Sequence, residues 1–410
     1  MWTIENEENY AAQCIEVTNL IQYSELDNLV GIPFAGYVAL VSKGQYVPGD
    51  KVVIFPAECQ LSEDLCKDHN LYAHKELNSN QEAKGYLGKN RRVKALKLRG
   101  IYSTALALPA SDFNDPPVGT SFDTVDGIEV CRKYIIPVKH NTPKFTPKKE
   151  RAIEERYFPL HYDTAQYLRN SFKYDPDKPI YVSQKVHGTS WRGARTYKKR
   201  KLNLFERLAK KVGIPVEEYA MALVGGSRKV TKDPTDSDQN HYYSTDIWSN
   251  ALERYGDLIP DNHIIYGELI GWVDENTPIQ SGYTYDLKRG EYRLVVYRVA
   301  AILPDGTQVE YGFDAMQEFC RNRGLDSVPL LDIVYRTSEE DDEEFYNRWA
   351  DHRFKDEGIS QSIQLSDPDT VDEGVVFRQD GIVPLLTKLK GPVFYGYETK
   401  VLDEEKDILE

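Results

Sequence analysis

In the first part of the chain, apolar residues recur in short runs separated by turn residues. Cys14–Ile21, Tyr37–Val41, Lys51–Phe55, Arg92–Leu98 and Thr104–Leu108 read as strands, with breaks such as Val47-Pro48-Gly49-Asp50 and Arg99-Gly100 between them. In Arg92-Val93-Lys94-Ala95-Leu96-Lys97-Leu98-Arg99 the alternation sets basic side chains on one face and apolar ones on the other. Strands this short and close together suit a small Greek-key barrel of the OB type, although any small barrel or sandwich gives the same pattern. From Asp112 to about Lys178 the pattern breaks into proline-marked loops, among them Asp115-Pro116-Pro117, Asn141-Thr142-Pro143, Thr146-Pro147-Lys148-Lys149 and Tyr174-Asp175-Pro176-Asp177. Beyond it strands alternate with helices. One helix is expected to start at a Ser244 or Thr245 cap and run through Tyr255, and another to start over Asp314 to Cys320. The fold class expected is α+β, in three parts: a β-rich module over 1–120, a connecting segment over 121–178, and a larger domain over 179–410.

The chain has 410 residues, enough for two or three domains with separate cores. No apolar run reaches the length of a membrane span, and the acidic stretch after Met1 is unlike a signal or transit peptide. The five cysteines are scattered and form no CxxC pair, which disfavours a disulfide framework or a zinc site and fits a reducing compartment. The protein is therefore expected to be intracellular, cytoplasmic, monomeric and without a membrane partner.

A net charge of −14 argues against nucleic acid as a partner, but the distribution reopens that possibility. Lys84, Lys89, Arg91, Arg92, Lys94, Lys97 and Arg99 fall in one stretch without an acid, and Lys198-Lys199-Arg200-Lys201 forms a second basic group. Acid concentrates in Glu339–Glu344 and after Glu398. Either basic stretch reads as a solvated face or as a track for a phosphate backbone.

The candidate chemistry starts at Lys185-Val186-His187-Gly188-Thr189-Ser190, which follows the strand-like run Ile180–Gln184. A lysine at a strand end becomes a nucleophile when its amine loses water and sits among other cations. A glycine three positions on lets the backbone approach a bound phosphate or sugar. Alone the tetrapeptide is a weak signal. Four more segments follow in order: Gly225-Gly226-Ser227-Arg228, Tyr266-Gly267-Glu268 at the end of an apolar strand, Tyr297 within Leu294–Val299, and Glu373-Gly374 leading to Lys388 and Lys390. Each has an ordinary explanation as a strand-end carboxylate, core tyrosine, edge lysine or loop arginine.

Taken together, the ordered set resembles the covalent nucleotidyltransferase superfamily of polynucleotide ligases and mRNA capping enzymes. It matches that superfamily's motif I (Lys185–Gly188), Ia (Ser227-Arg228), III (Tyr266–Glu268), IIIa (around Tyr297), IV (Glu373-Gly374) and V (Lys388 and Lys390). Barely twenty residues follow Lys390, too few for the OB domain that DNA ligases and capping enzymes carry there, while the candidate barrel lies in front. That order, and histidine as the third member of motif I, resemble the ATP-dependent RNA ligases that seal nicks in duplexes. The acidic Glu339–Glu344 looks like an inserted loop.

The resemblance implies an OB-type barrel followed by a nucleotidyltransferase domain of antiparallel sheets with flanking helices. It implies that Lys185 attacks the α-phosphorus of ATP to form a lysyl-AMP, that AMP passes to a 5′-phosphate end, and that a 3′-OH displaces it. Lys388, Lys390 and Arg228 would neutralise phosphate charge, and Glu373 would associate with Mg²⁺ or Mn²⁺. Glu268 would contact the ribose and Tyr297 would stack on adenine, with His187 and Gly188 completing the nucleotide site. The strip from Lys84 to Arg99 would hold phosphates flanking a nick in RNA or an RNA-containing duplex. The alternatives are a DNA ligase, a GTP-dependent capping enzyme, and a nucleic-acid-binding protein whose ligase fold is inactive.

Overall fold

The computed structural model describes residues 1–6, 8–34, 36–135, 153–161, 164–232, 245–335 and 371–409. The acidic Glu339–Glu344 and the candidate cap Ser244 lie outside the described residues.

The N-terminal strands pair into several small sheets. A four-stranded antiparallel sheet has the order Ala105–Pro109, Lys51–Pro56, Ala12–Glu16, Ser121–Phe122. Ile21–Gln22, Leu29–Phe34 and Tyr37–Ser42 form a second sheet, so the single strand expected over Cys14–Ile21 is two strands serving different sheets. Among the described residues these ladders remain separate and do not close into one barrel. The segment after residue 120, expected to be connecting chain, also contributes strands. Thr124–Val125 pairs with Trp2–Thr3, and Cys131–Lys133 pairs with Cys59–Leu61.

The expected strand Arg92–Leu98 is corrected too. Only Leu96–Leu98 pairs, with Ile101–Ser103, while Arg92 makes an isolated bridge to Gln60. Arg91 sits at φ +57° and Arg99 at φ +47°, so the backbone bends at both ends of the run. The alternation of faces therefore fails at Arg92, whose side chain is fully buried beside a buried Val93. Its guanidinium donates to Glu58 at 3.1 Å, Asp403 at 2.5 Å and the Thr399 carbonyl at 3.1 Å. Arg92 is thus an internal tie between this module and the last helix, Pro392–Leu409, and is removed from any external phosphate.

Beyond residue 164 the strands form two larger sheets. The first runs Ala165–Gln166, Leu385–Lys390, Gly374–Gln379, Ile180–Lys185, Leu330–Val334. The second runs Thr231–Lys232, Tyr219–Ser227, Thr189–Lys199, His263–Gly271, Tyr292–Ile302, Gln308–Glu310, with Asp326–Ser327 added in parallel to Tyr292–Ile302. Helices Ile247–Tyr255 and Phe313–Arg323 cover the second sheet. They bury Trp248, Leu252, Phe313 and Met316 against Trp191, Leu269, Leu294 and Val295. The first of these helices is capped by Asp246, whose carboxylate accepts from Ser249 N, one residue later than the sequence suggests. The second starts at Phe313 and ends where Gly324 adopts φ +67°, a left-handed cap that favours glycine.

Replacing Arg92 with alanine is expected to destabilise the protein by about 3–5 kcal/mol, because Glu58 and Asp403 lose a buried partner. Arg92→Lys should recover only part, since one ammonium cannot span all three acceptors. Urea midpoints of the three proteins check this; a midpoint unchanged in Arg92→Ala would contradict the assigned role.

Candidate active site

Strand register brings the site together. Lys185 is the last residue of its strand and lies opposite Gly374, and Gly374 lies opposite Lys390. One row away Ser183, Val376 and Lys388 stand in line. Residues directly opposite one another share a face, so Lys185, Lys388 and Lys390 project from the same side of the first sheet. Gly374 has no side chain between the two flanking lysines. It sits at φ +146°, and a Cβ there would lie 2.0 Å from the Leu389 carbonyl oxygen. Glycine is the residue this position admits.

After Lys185 the chain turns through Val186–Gly188 and enters the second sheet at Thr189. A Cβ on Gly188 would lie 2.2 Å from the Leu269 carbonyl oxygen, so the turn closes tightly over that strand. Ser190 then stands opposite Glu268, with its hydroxyl 3.4 Å from the Glu268 carboxylate. Tyr297 enters by a different device. Tyr266 pairs with Arg298 and Gly267 with Val296, leaving Tyr297 as the extra residue of a β-bulge. A bulge re-aims a side chain relative to its neighbours. Val295 and Val296 stay in the core while Tyr297 reaches the cavity.

The result is a cavity of about 260 Å³ between the two sheets, lined by Lys185, Arg228, Glu268, Tyr297, Glu373, Lys388 and Lys390. His187 and Gly188, expected in the nucleotide site, are not among the residues that line it. Gly188 is packed beneath the Leu269 strand. His187 turns its Nδ1 to Glu373 at 3.2 Å, with Tyr283 and Phe394 edge-on to its ring and its backbone N–H donating to the Tyr285 hydroxyl at 2.7 Å. Sequence reasoning missed Tyr10, Lys133, His161, Thr164, Ser183, Gln184, Ser190, Arg298 and Arg378, which also line the cavity. Ser183, Gln184, Ser190, Arg298 and Arg378 adjoin or lie near recognised motifs. Tyr10, Lys133, His161 and Thr164 come from segments that carry no motif.

Glu373 is the electrostatic centre. Its carboxylate is buried, with Lys185 Nζ at 2.8 Å, His187 Nδ1 at 3.2 Å and Lys390 Nζ at 3.7 Å. Burial works against ionisation, but Lys185, His187 and Lys390 outweigh it and hold the carboxyl far below the usual range. Burial likewise works against the Lys390 ammonium, and Glu398 and Glu373 overcome it to raise its pKa. Glu268 behaves oppositely. Burial, with Glu373 adding to it, pushes its carboxyl up to about 7 against the pull of Lys185, Ser190 and Arg228.

Residues 178–390 match the model of the RNA ligase family, just over half of the chain. The chain belongs to the RNA ligase family. A mutant of Naegleria gruberi RNA ligase with AMP and Mn superposes with a TM-score of 0.60 at 15% identity, over 95% of this chain and 99% of its own. A second mutant of that ligase, with ATP and Mn, gives 0.60 at 15% identity over 94% and 98%. The same ligase with PPi gives 0.58 at 16% identity over 95% and 99%. At such identity the likeness speaks for a shared fold. No curated protein matches this RNA ligase family chain.

Among the described residues no group of three or more His, Cys, Asp or Glu side chains is arranged to hold a metal. Glu373 alone offers a buried carboxylate in the cavity that is held ionised. This donor set fits a hydrated Mg²⁺ or Mn²⁺ that takes most of its ligands from water and phosphate. It does not fit a dedicated protein cage.

The raised Glu268 carboxyl predicts a stability trend. Its ordinary value is 4.5 and its folded value about 7, so the folded state keeps a proton that the unfolded chain has lost across that window. Stability should therefore fall as pH rises from about 4.5 to 7 and level off above, by roughly 1–3 kcal/mol from this group. In Glu268→Gln that part of the slope disappears. Denaturant midpoints at pH 5, 6, 7 and 8 measure it; identical slopes in both proteins would rule the shift out.

Proposed function

We propose that this protein is an ATP-dependent RNA ligase that joins a 5′-phosphate to a 3′-OH at nicks in duplexes with RNA on the 3′-OH side. The observation that carries the reading is the row Lys185–Gly374–Lys390. It sets one amine 2.8 Å from the Glu373 carboxylate in the lining of a cavity also bordered by Glu268 and Tyr297.

Lys185 Nζ attacks the α-phosphorus of ATP, the bond to pyrophosphate breaks, and a phosphoramidate forms as the amine gives up its proton. AMP then passes to the oxygen of the 5′-phosphate, and the 3′-OH displaces AMP to leave a phosphodiester. Glu373 holds Lys185 in position before attack. Lys388, Lys390 and Arg228, which border the cavity, balance the charge that gathers on the phosphates. Glu268 takes the ribose and Tyr297 the adenine face. A divalent cation, for which Glu373 is the carboxylate at hand, would supply further neutralisation of phosphate charge.

We read residues 179–410 as the nucleotidyltransferase domain and the N-terminal strands as an OB-type platform for nucleic acid. Lys84, Lys89, Lys97 and Arg99 are exposed, and the Arg99–Asp27 pair at 3.0 Å lies on the surface, where exchange for a phosphate costs little. Arg91, paired with Glu63 at 3.4 Å, is half-buried and contributes less.

Incubation with α-labelled ATP and Mg²⁺, followed by denaturation, should leave label on the chain. Lys185→Ala abolishes it, while Lys390→Ala and Glu373→Ala lower it at least about a hundredfold. α-Labelled GTP should not replace ATP. Charge removal at Lys84, Lys89, Lys97 and Arg99 spares the label and weakens sealing of a nicked duplex, more so at higher salt. Deoxynucleotides at the 3′-OH end should stop sealing. Retained label in Lys185→Ala would refute the nucleophile, and equal sealing of all-DNA nicks would favour a DNA ligase.

A further inference from the structure

Lys390 does not act alone in the fold. The helix Pro392–Leu409 begins two residues after it and runs against the N-terminal module. On that helix the Glu398 carboxylate receives Lys390 Nζ at 2.8 and 3.1 Å. The next residue, Thr399, is buried, and its hydroxyl donates to Glu58 at 2.9 Å and accepts from the Ala95 backbone at 3.1 Å. One turn on, Asp403 accepts from Arg92 at 2.5 Å and Lys94 at 2.9 Å. Glycine is disfavoured inside a helix, yet Gly396 stands here because a Cβ would lie 2.5 Å from the Tyr102 ring. The hydroxyls of Tyr37 and Tyr395 meet at 3.1 Å beside it.

An α-helix is stiff over these two turns, so Glu398 and Asp403 keep a fixed spacing. Whatever fixes Asp403 and Thr399 to the module also fixes where Glu398 stands. Lysine carries its ammonium on a flexible four-carbon stem, and without Glu398 the remaining carboxylate partner of Lys390 is Glu373, already bonded to Lys185.

We propose that Glu398 is a positioning residue that aims Lys390, and that the clamp of Arg92, Lys94 and Glu58 on Thr399 and Asp403 makes that aim depend on docking of the N-terminal module. The two ends of the linkage are 13 residues apart on the chain, Lys390 in the cavity and Asp403 at the module surface. This rests on the adenylyl-transfer reading above.

The test uses the full chain and measures maximal rate and half-saturating ATP for uptake of α-labelled AMP, with a thermal melt for each protein. Glu398→Gln should lower the maximal rate about tenfold with half-saturating ATP changed by no more than about twofold. Glu398→Asp should recover part of the rate. Asp403→Asn, although Asp403 is not among the residues lining the cavity, should slow uptake several-fold, and the double variant should be no slower than Glu398→Gln alone. The linkage is overturned if Glu398→Gln or Asp403→Asn keeps the wild-type rate, if their effects multiply, or if the loss follows the unfolded fraction in the melt. Wild-type protein that takes up no label overturns the adenylyl-transfer reading and the linkage with it. Labelled wild type with unaffected variants overturns the linkage alone.

Discussion

The ion pair between Lys185 and Glu373 is the constraint around which the larger domain is arranged. A carboxylate buried this deeply is stable only if cations and hydrogen-bonding groups reach it, and here Lys185 and Lys390 supply the charge while the His187 ring nitrogen stands at 3.2 Å. They arrive from two strands of one sheet and from the turn that leaves it. The sheet must therefore keep its register, because a one-residue slip would turn Lys185 or Lys390 to the opposite face and strand Glu373 among apolar groups. Gly374 makes the register sterically possible, since only a residue without a side chain fits against the Leu389 carbonyl. Charge, register and sterics agree at this one place.

The opposing carboxylate shows how burial alone gives a different result. Glu268 faces the same cavity, but there burial outweighs the pull of Lys185, with Glu373 adding to it, so its proton is held to about neutrality. Two glutamates some strands apart thus differ in ionisation because of their neighbours, a separation that acid–base and binding sites commonly use. A carboxylic acid that keeps its proton can donate as well as accept, which suits a ribose hydroxyl as partner. An ionised carboxylate with paired cations suits an amine and a phosphate.

The motif residues stood out through their order along the chain, and Lys185, Glu268, Glu373 and Lys390 also sit at a strand end or beside a glycine. The row of Lys388 and Lys390, and Lys185 at the end of Ile180–Lys185, follow directly from a period of two. Tyr297 was legible only as an aromatic on a strand; the bulge that turns it to the cavity depends on pairing with Tyr266 and Gly267, which no local pattern encodes. Arg92 misled because alternation implies an exposed basic face, whereas its partners Glu58 and Asp403 lie 34 and 311 residues away. The N-terminal strands broke into more and smaller sheets than expected for a related reason. Short ladders are set by cross-strand partners such as Thr124–Val125 with Trp2–Thr3, and the local sequence carries little trace of them.

A cavity between two sheets also needs its width fixed, and a second buried charge group does this. Arg298 belongs to the second sheet and Arg378 to the first, and both bind Glu310, at 2.6 and 3.0 Å. Arg378 also binds Asp380 at 2.6 Å, and Asp380 accepts from the Phe313 backbone N–H at 2.8 Å, tying in the helix that covers the core. Such a buried triad adds little stability over apolar packing of the same volume, and its value lies in geometry. Guanidinium groups shared across one carboxylate tolerate little sliding, because each bond is directional. The sheets are thus joined covalently through Val186–Gly188 at one end of the cavity and ionically through Glu310 elsewhere. Lys185 and Glu268 are held on opposite sheets around one cavity, which is what the proposed amine and ribose contacts to a single nucleotide require.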